Sequence, residues 1–270
     1  MKQSQFYYLL RRGLFGGGSS IIKKGLVMFN KFTTAGLNFP VQGSAAFNGT
    51  SDYINMGEKN IATDLGITNA FTFGSWVYLE ESNSYKSLLT MWDNVGSTIF
   101  WWGFASDEVF HYNISLTGGD KARNIASVPK NEWSYLNLKY DGSSIKLFIN
   151  GSEVDSISAS GTLDGRSNGL VENLLIGAQN FDSPGNFMNG NLANVAIWNR
   201  ALSSDEINSV MWKPYQALSA TESNGLQAWY SLDDITSPAA SLANMEQLAT
   251  DKNATIENAN AITSAINKLS

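Results

Sequence analysis

The stretch LLIGAQNFDSPGNFMNGNLANVAIWNRALSSDEINSV, residues 174 to 210, constrains the fold more than any other. It predicts a strand from Leu174 to Ala178, an irregular Asn/Gly loop, a second strand from Asn191 to Trp198, and a short helix. The helix start is marked chemically. Ser203 at the N-cap and Glu206 three residues later form the reciprocal pair that satisfies two orphan backbone donors, and Leu202 and Ile207 can close a hydrophobic staple. Asp205 and Glu206 also suit the positive end of the helix dipole. This is one helix in a chain that otherwise reads as strands.

The strands upstream follow from alternation and turn chemistry. Phe71 to Leu79 is apolar or aromatic at most positions, as a central strand covered on both faces requires. Leu88 to Trp92, Ile99 to Phe104 and Val109 to Leu116 follow. Glu132 to Tyr140, Ile145 to Asn150 and Glu153 to Ile157 make a hairpin set. Asp141-Gly142 and Asn150-Gly151 stand at its turns, where a type I′ turn needs two residues with positive φ. Ser158 to Asn173 reads as a polar loop. Leu226 to Leu232 alternates as a strand after a connector containing Pro214.

Several of these segments together resemble the concanavalin A-like/laminin G-like jelly rolls. The resemblance rests on Ile176-Gly177, on Gly190-Asn191-Leu192-Ala193-Asn194-Val195, and on Asn199-Arg200-Ala201-Leu202-Ser203 leading into Glu206-Ile207. The opening Phe47-Asn48-Gly49 with Asp52-Tyr53 and the hairpin carrying Asp141-Gly142 and Asn150-Gly151 fit it too. It covers roughly Ser44 to Trp212. The implied fold is an all-β jelly-roll sandwich of two antiparallel sheets, with one short helix and an extended N-terminal arm. The domains are then 1–43, a basic, aromatic docking arm with a Gly/Ser joint; 44–212, the jelly roll; and 213–270, a connector and C-terminal strands. The strand at Leu226 resembles one that commonly opens such domains. Here it comes last, either closing the sandwich or standing beside it, and closure is expected because a lone two-stranded unit is marginal.

Charge is divided along the chain. Up to Ser51 there is no acidic residue, and Lys2, Arg11, Arg12, Lys23, Lys24 and Lys31 give +6; the rest holds 12 basic and 24 acidic residues. A basic arm on an acidic body is a docking pattern. Phe6, Tyr7, Tyr8, Arg11, Arg12 and Phe15 are the residue types that carry such contacts, and Gly16-Gly17-Gly18-Ser19-Ser20 is a flexible joint. Six charges over this length are too dilute to favour nucleic acid or a membrane surface. Arg11-Arg12 interrupt the apolar run before it reaches the length of a secretion signal, and no run approaches a spanning helix. The absence of Cys removes disulfides, thiol nucleophiles and Cys-based zinc sites.

Three kinds of site are weighed. Catalysis of glycoside hydrolysis needs two facing carboxylates. Glu80-Glu81 point to opposite faces of a strand, Asp205-Glu206 belong to the helix start, and the single His111 has a structural role, so no catalytic residue is assigned. The family resemblance implies a Ca²⁺ site at a sandwich rim. The matching positions are Asn48, Asp52 and Asn194, although the family's usual Asp is replaced at Asn194 and the role of these residues as turn formers competes. Finally, Tyr85, Trp92, Trp101, Trp102, Phe110 and Tyr112 form an aromatic cluster. Adjacent strand residues face opposite ways, so Trp101 and Trp102 enter the core together only if both sheet faces are covered. Trp92, Trp101, Trp102 and Tyr112 are the candidate sugar-stacking residues.

The expectation is a non-enzymatic structural or attachment module, a bacteriophage virion protein (capsid decoration, tail or fibre) docked by its arm on other virion proteins. The alternative is a carbohydrate-binding, lectin-like protein that is extracellular or at a cell surface and meets host-surface glycans. Neither reading involves nucleic acid or membrane insertion, and both are compatible with a homo-oligomer.

Overall fold

The computed structural model describes residues 43–80, 84–92, 98–106, 109–164, 171–181 and 183–232. The chain divides into two compact units, Met1–Leu37 and Asn38–Ser270, and every described residue belongs to the second. The arm residues Phe6, Tyr7, Tyr8, Arg11, Arg12 and Phe15 lie outside the described residues, as does everything after Leu232.

In chain order the strands are β1 (Ala45–Asn48), β2 (Ile54–Asn60), β3 (Phe71–Leu79), β4 (Lys86–Trp92), β5 (Thr98–Phe104), β6 (Val109–Ile114), β7 (Lys121–Ser127) and β8 (Trp133–Tyr140). They continue with β9 (Ser144–Ile149), β10 (Ser152–Ser158), β11 (Val171–Ile176), β12 (Gln179–Phe181), β13 (Ser183–Gly185), β14 (Asn189–Trp198) and β15 (Leu226–Tyr230). A seven-stranded sheet runs β1-β14-β3-β8-β9-β10 with β15 also on β14, and a six-stranded sheet runs β2-β11-β4-β5-β6-β7. All the pairings are antiparallel. This is the two-sheet jelly roll. β12 and β13 form a separate small hairpin.

The inward face of each strand supplies the core. On β6, Phe110, Tyr112 and Ile114 are buried while Val109, His111 and Asn113 are partly exposed, the period-two signature of a strand with one covered face. Phe73 of one sheet meets Phe100 of the other with ring centroids 4.7 Å apart, and Trp102 at 6.2 Å. The Phe47 motif and Ile176-Gly177 motif explain each other. Gly177 has φ +81°, and a Cβ there would lie 2.3 Å from the Phe47 ring. Glycine is required by both conformation and contact.

The outer face of the seven-stranded sheet is covered as well, which is why β3 is buried almost throughout. A second apolar cluster of Trp76, Tyr135, Phe148, Trp198, Leu202, Ile207, Val210 and Met211 sits there, under helix α1 (Ser204–Val210). Ser203 caps α1 in a full capping box with Glu206. Arg200 then binds Glu206 through two guanidinium nitrogens at 2.6 and 3.0 Å and donates to the carbonyls of Thr221 and Asn224. That is the physical content of the Asn-Arg-Ala-Leu-Ser run: it locks the helix start to the segment that follows.

Four expectations need revision. A second short helix, α2 (Ala220–Ser223), joins α1, with Ser219 and Glu222 repeating the capping box, and a 3-10 turn covers Tyr215–Ala217. β7 and the β12–β13 hairpin come from segments without apolar alternation. Val171–Ile176 is strand where a polar loop was expected to run to Asn173. Asn150 and Gly151 have the two positive φ values of a type I′ turn, but at Asp141-Gly142 only Gly142 does. There the carboxylate of Asp141 accepts from the backbone N–H groups of Ser143 and Ser144 in a longer loop. Of the C-terminal segment, β15 pairs with β14 over Val195–Trp198.

Candidate functional site

β4, β5 and β6 run side by side in the six-stranded sheet, and their register decides which aromatic rings reach its outer face. Trp102 pairs with Tyr112, and both point between the sheets; they are 0% and 1% exposed. The expectation that these two stack on sugar is therefore corrected: they are core residues. Trp101 pairs with Asn113 and Gly103 with His111, on the other face. Trp92 is half-buried at the end of β4, opposite Thr98.

Trp101 is the anchor of the outer-face group. Its indole N–H donates to Ser87 Oγ at 2.8 Å, which fixes the ring. His111 packs edge-on against it with centroids 4.9 Å apart, and Tyr85 does so at 5.8 Å. Tyr85 and His111 are 6.0 Å apart and nearly perpendicular. The three rings form a triangle in edge-to-face contacts, the geometry that the aromatic quadrupole favours. Trp101 is only 2% exposed, so it supports the surface rather than presenting one. Tyr85, 45% exposed, is the accessible ring.

The surroundings are polar. His111 Nδ1 is paired with Asn124 Oδ1. Burial lowers the His111 pKa, and the Asn124 bond opposes this in part, so the imidazole is neutral at physiological pH. Asn113 and Asn124 flank the rings with amides. Gly103 is glycine because a Cβ would strike the Lys86 carbonyl oxygen at 2.1 Å, where β4 and β5 shift register. An accessible phenol backed by an indole, with an imidazole and two amides beside it, places one exposed aromatic ring next to hydrogen-bonding groups. Two shallow depressions, one at Gln179, Ser183, Pro184, Gly185 and Asn186 and the other at Lys121, Gly142, Ser143 and Ser158–Ser160, share none of these residues.

The three residues matched to a Ca²⁺ site do not fit that ion together. Asn48 Oδ1 accepts from the backbone N–H groups of Thr50, Ser51 and Asp52 at 2.9, 2.9 and 3.1 Å, which uses its lone pairs inside the turn. Asp52 is buried beside it, with Ser51 Oγ at 3.5 Å. Asn48 pairs with Asn189, and Asn194 lies five positions further along β14. At the rise of a strand that is about 16 Å away. Asn194 has φ +50° at a register shift of β14, and its N–H donates to the Ser231 carbonyl. Among the described residues no three His, Asp or Glu side chains gather into a metal-binding group.

With this geometry in hand, comparison with known proteins is informative. The family model described as the concanavalin A-like lectin/glucanases superfamily matches residues 48–208, more than half of the chain. The chain belongs to the concanavalin A-like lectin/glucanases superfamily. A search of curated protein sequences finds no match. Among solved structures, one described as a "putative carbohydrate binding protein" from Bacteroides ovatus is 14% identical with a TM-score of 0.54, over 71% of this chain and 52% of that one. The chain thus spans about half the length of that structure. A CBM40 module of a Ruminococcus gnavus IT-sialidase, solved with sialyllactose, is 15% identical with a TM-score of 0.48, over 63% of this chain and 100% of that one. Domain 4 of the arabinanase AbnA from Geobacillus stearothermophilus, in complex with arabinotriose, is 16% identical with a TM-score of 0.44, over 63% of this chain and 76% of that one. At these identities the likeness is one of fold. The matched span contains Gly177, Arg200 and the Tyr85 triangle.

Of the sequence-based candidates, only Trp101 joins the outer-face group. Tyr85 stood in the aromatic cluster without being singled out, and His111 was assigned a structural role. The signal for both lay in pairing: in the strict alternation of β6, His111 falls opposite to Tyr112.

Proposed function

We propose that this protein is a non-catalytic, carbohydrate-binding jelly-roll module that meets glycans outside the cell. The Tyr85–Trp101–His111 triangle carries this reading. The weakly positive C–H groups of one sugar face can lie against the electron-rich face of Tyr85, while Asn113, Asn124 and the imidazole take the hydroxyls. Such a site is pre-formed, because Trp101 is held by Ser87 before any ligand arrives. Superfamily membership and the Bacteroides ovatus structure support the ligand class.

A non-catalytic role is favoured by where the carboxylates go. Glu153 binds Lys146, Asp155 binds Arg123, Glu206 binds Arg200 and Glu222 binds Lys213. Glycoside hydrolysis needs two carboxyl groups facing one bond. The finer reading, a module carried on a phage particle by its basic arm, has the division of charge along the chain as its support. Mass spectrometry of purified particles that lacked the chain would remove it.

The test is a glycan array probed with the wild-type protein and with Tyr85→Ala, with and without added Ca²⁺. Saturable binding that drops at least tenfold in the variant is expected, with no calcium requirement. Absence of saturable binding to any glycan would overturn the reading.

A further inference from the structure

On the far side of the molecule, the segment after α1 displays two aromatic rings to solvent, Trp212 at 43% and Tyr215 at 52% exposure. They do not sit on a loose loop. The carbonyl of Met211 accepts from Trp76 Nε1 at 3.0 Å, and Lys213 Nζ contacts both carboxylate oxygens of Glu222 at 2.6 and 2.8 Å. Glu222 is itself 5% exposed, capped by Ser219, and its carbonyl accepts from Trp198 Nε1 at 2.8 Å. Pro214 fixes the chain between the two rings at φ −71°. Trp212 rests on Trp76 with centroids 5.7 Å apart, and Tyr215 on Trp229 at 6.2 Å. The backbone is clamped before, between and after the exposed rings.

That arrangement has a physical cost and a physical use. Leaving a Trp and a Tyr in water forgoes the burial their size would give. Holding them on an ordered backbone removes most of the entropy that a ligand would otherwise have to overcome. A standard protein interface needs about 800 Å² on each partner. Two rings, with exposed Asn208 one helical turn before the first and exposed Gln216 next in the chain to the second, suit a smaller, hydroxylated ligand better.

We infer that Trp212 and Tyr215 form a second sugar-stacking subsite, on the opposite face of the sandwich from Tyr85. The inference rests on the carbohydrate-binding reading and extends it: the module is bivalent. Trp76 and Trp229 belong to the cluster outside the seven-stranded sheet, whereas Trp101 lies outside the six-stranded one. The sheets themselves pack about 10 Å apart. A short oligosaccharide cannot span both surfaces, so the two subsites engage separate chains or distant parts of one chain. Polysaccharide is then cross-linked, with the gain in avidity that linked sites give.

Affinity electrophoresis of the full chain tests this, in gels containing arabinan, galactan, xylan, mannan or hydroxyethylcellulose. Wild type, Tyr85→Ala, the double variant Trp212→Ala/Tyr215→Ala and the triple variant are compared, with thermal melting as the check on folding. Each of the first two variants should lose part of the retardation and the triple variant all of it. Only wild type should raise the turbidity of the polysaccharide solution. If melting shows the double variant unfolded, Trp212→Gln with Tyr215→Asn replaces it, and Trp212→Phe should restore retardation. A double variant retarded like wild type, with Tyr85→Ala losing all retardation, overturns the second subsite and leaves the first. A wild-type protein retarded by none of the polysaccharides overturns both.

Discussion

Tyr85 and Trp102 are separated by one strand pairing, yet their replacement should read out in opposite ways. Tyr85 is accessible and loses only its edge-to-face contacts with Trp101 and His111, so Tyr85→Ala should cost about 0.5–1.5 kcal/mol. Trp102 is fully enclosed against Phe73 and Phe110, and Trp102→Ala should cost about 3–5 kcal/mol. Urea melts of the two variants check both figures. At Asn48 the oxygen bonded to three backbone amides predicts that Asn48→Ala costs roughly 1–3 kcal/mol. Because that oxygen is spent on the turn, a chelator should leave the wild-type melting temperature unchanged; a fall of several degrees in EDTA would contradict the assignment. Sequence alone left the side of Trp101 and Trp102 open for a physical reason. β5 is buried at every position, so it has no alternation to read, and only its register with β6 tells inward from outward.

Among the elements, the two short helices are held by the same device, a Ser with a Glu three residues on. Ser203→Ala should cost about 1 kcal/mol, measurable by chemical denaturation. α2 has the added ion pair. Burial acts to raise the Glu222 pKa, and hydrogen bonds from Lys213, Ser209 and Ser219 outweigh it, leaving about 2. A carboxyl group whose pKa is depressed on folding stabilises above its unfolded value and loses that contribution as protons bind. Wild type should therefore lose stability progressively from about pH 4.5 down to about 2. Glu222→Gln should flatten that part of the profile, as followed by melting at stepped pH. α1 was legible because an apolar run follows its cap. α2 carries the same Ser-x-x-Glu signal at Ser219, but its four residues are too few to show a helical period. β7, with the sequence KARNIAS, is an edge strand whose pairing to β6 supplies what its side chains do not announce.

Among the described residues, both sheets and both apolar clusters fall within 44–232. A fragment with those bounds should unfold in one cooperative transition, as followed by calorimetry. Two separate transitions would mean that the sheets are not one cooperative unit. β1 and β15 occupy the same side of β14, one against Gly190–Leu192 and the other against Val195–Trp198. Among the described residues, Ala45 stands opposite Leu192, and the Ser231 carbonyl accepts from the Asn194 N–H. The first and last strands described in the sandwich are therefore neighbours along β14, and meeting strand ends are the condition under which a domain can be spliced into a host loop or have its ends rejoined elsewhere. A sandwich with its first and last strands side by side can be threaded like a bead at an accessible bend of a larger polypeptide.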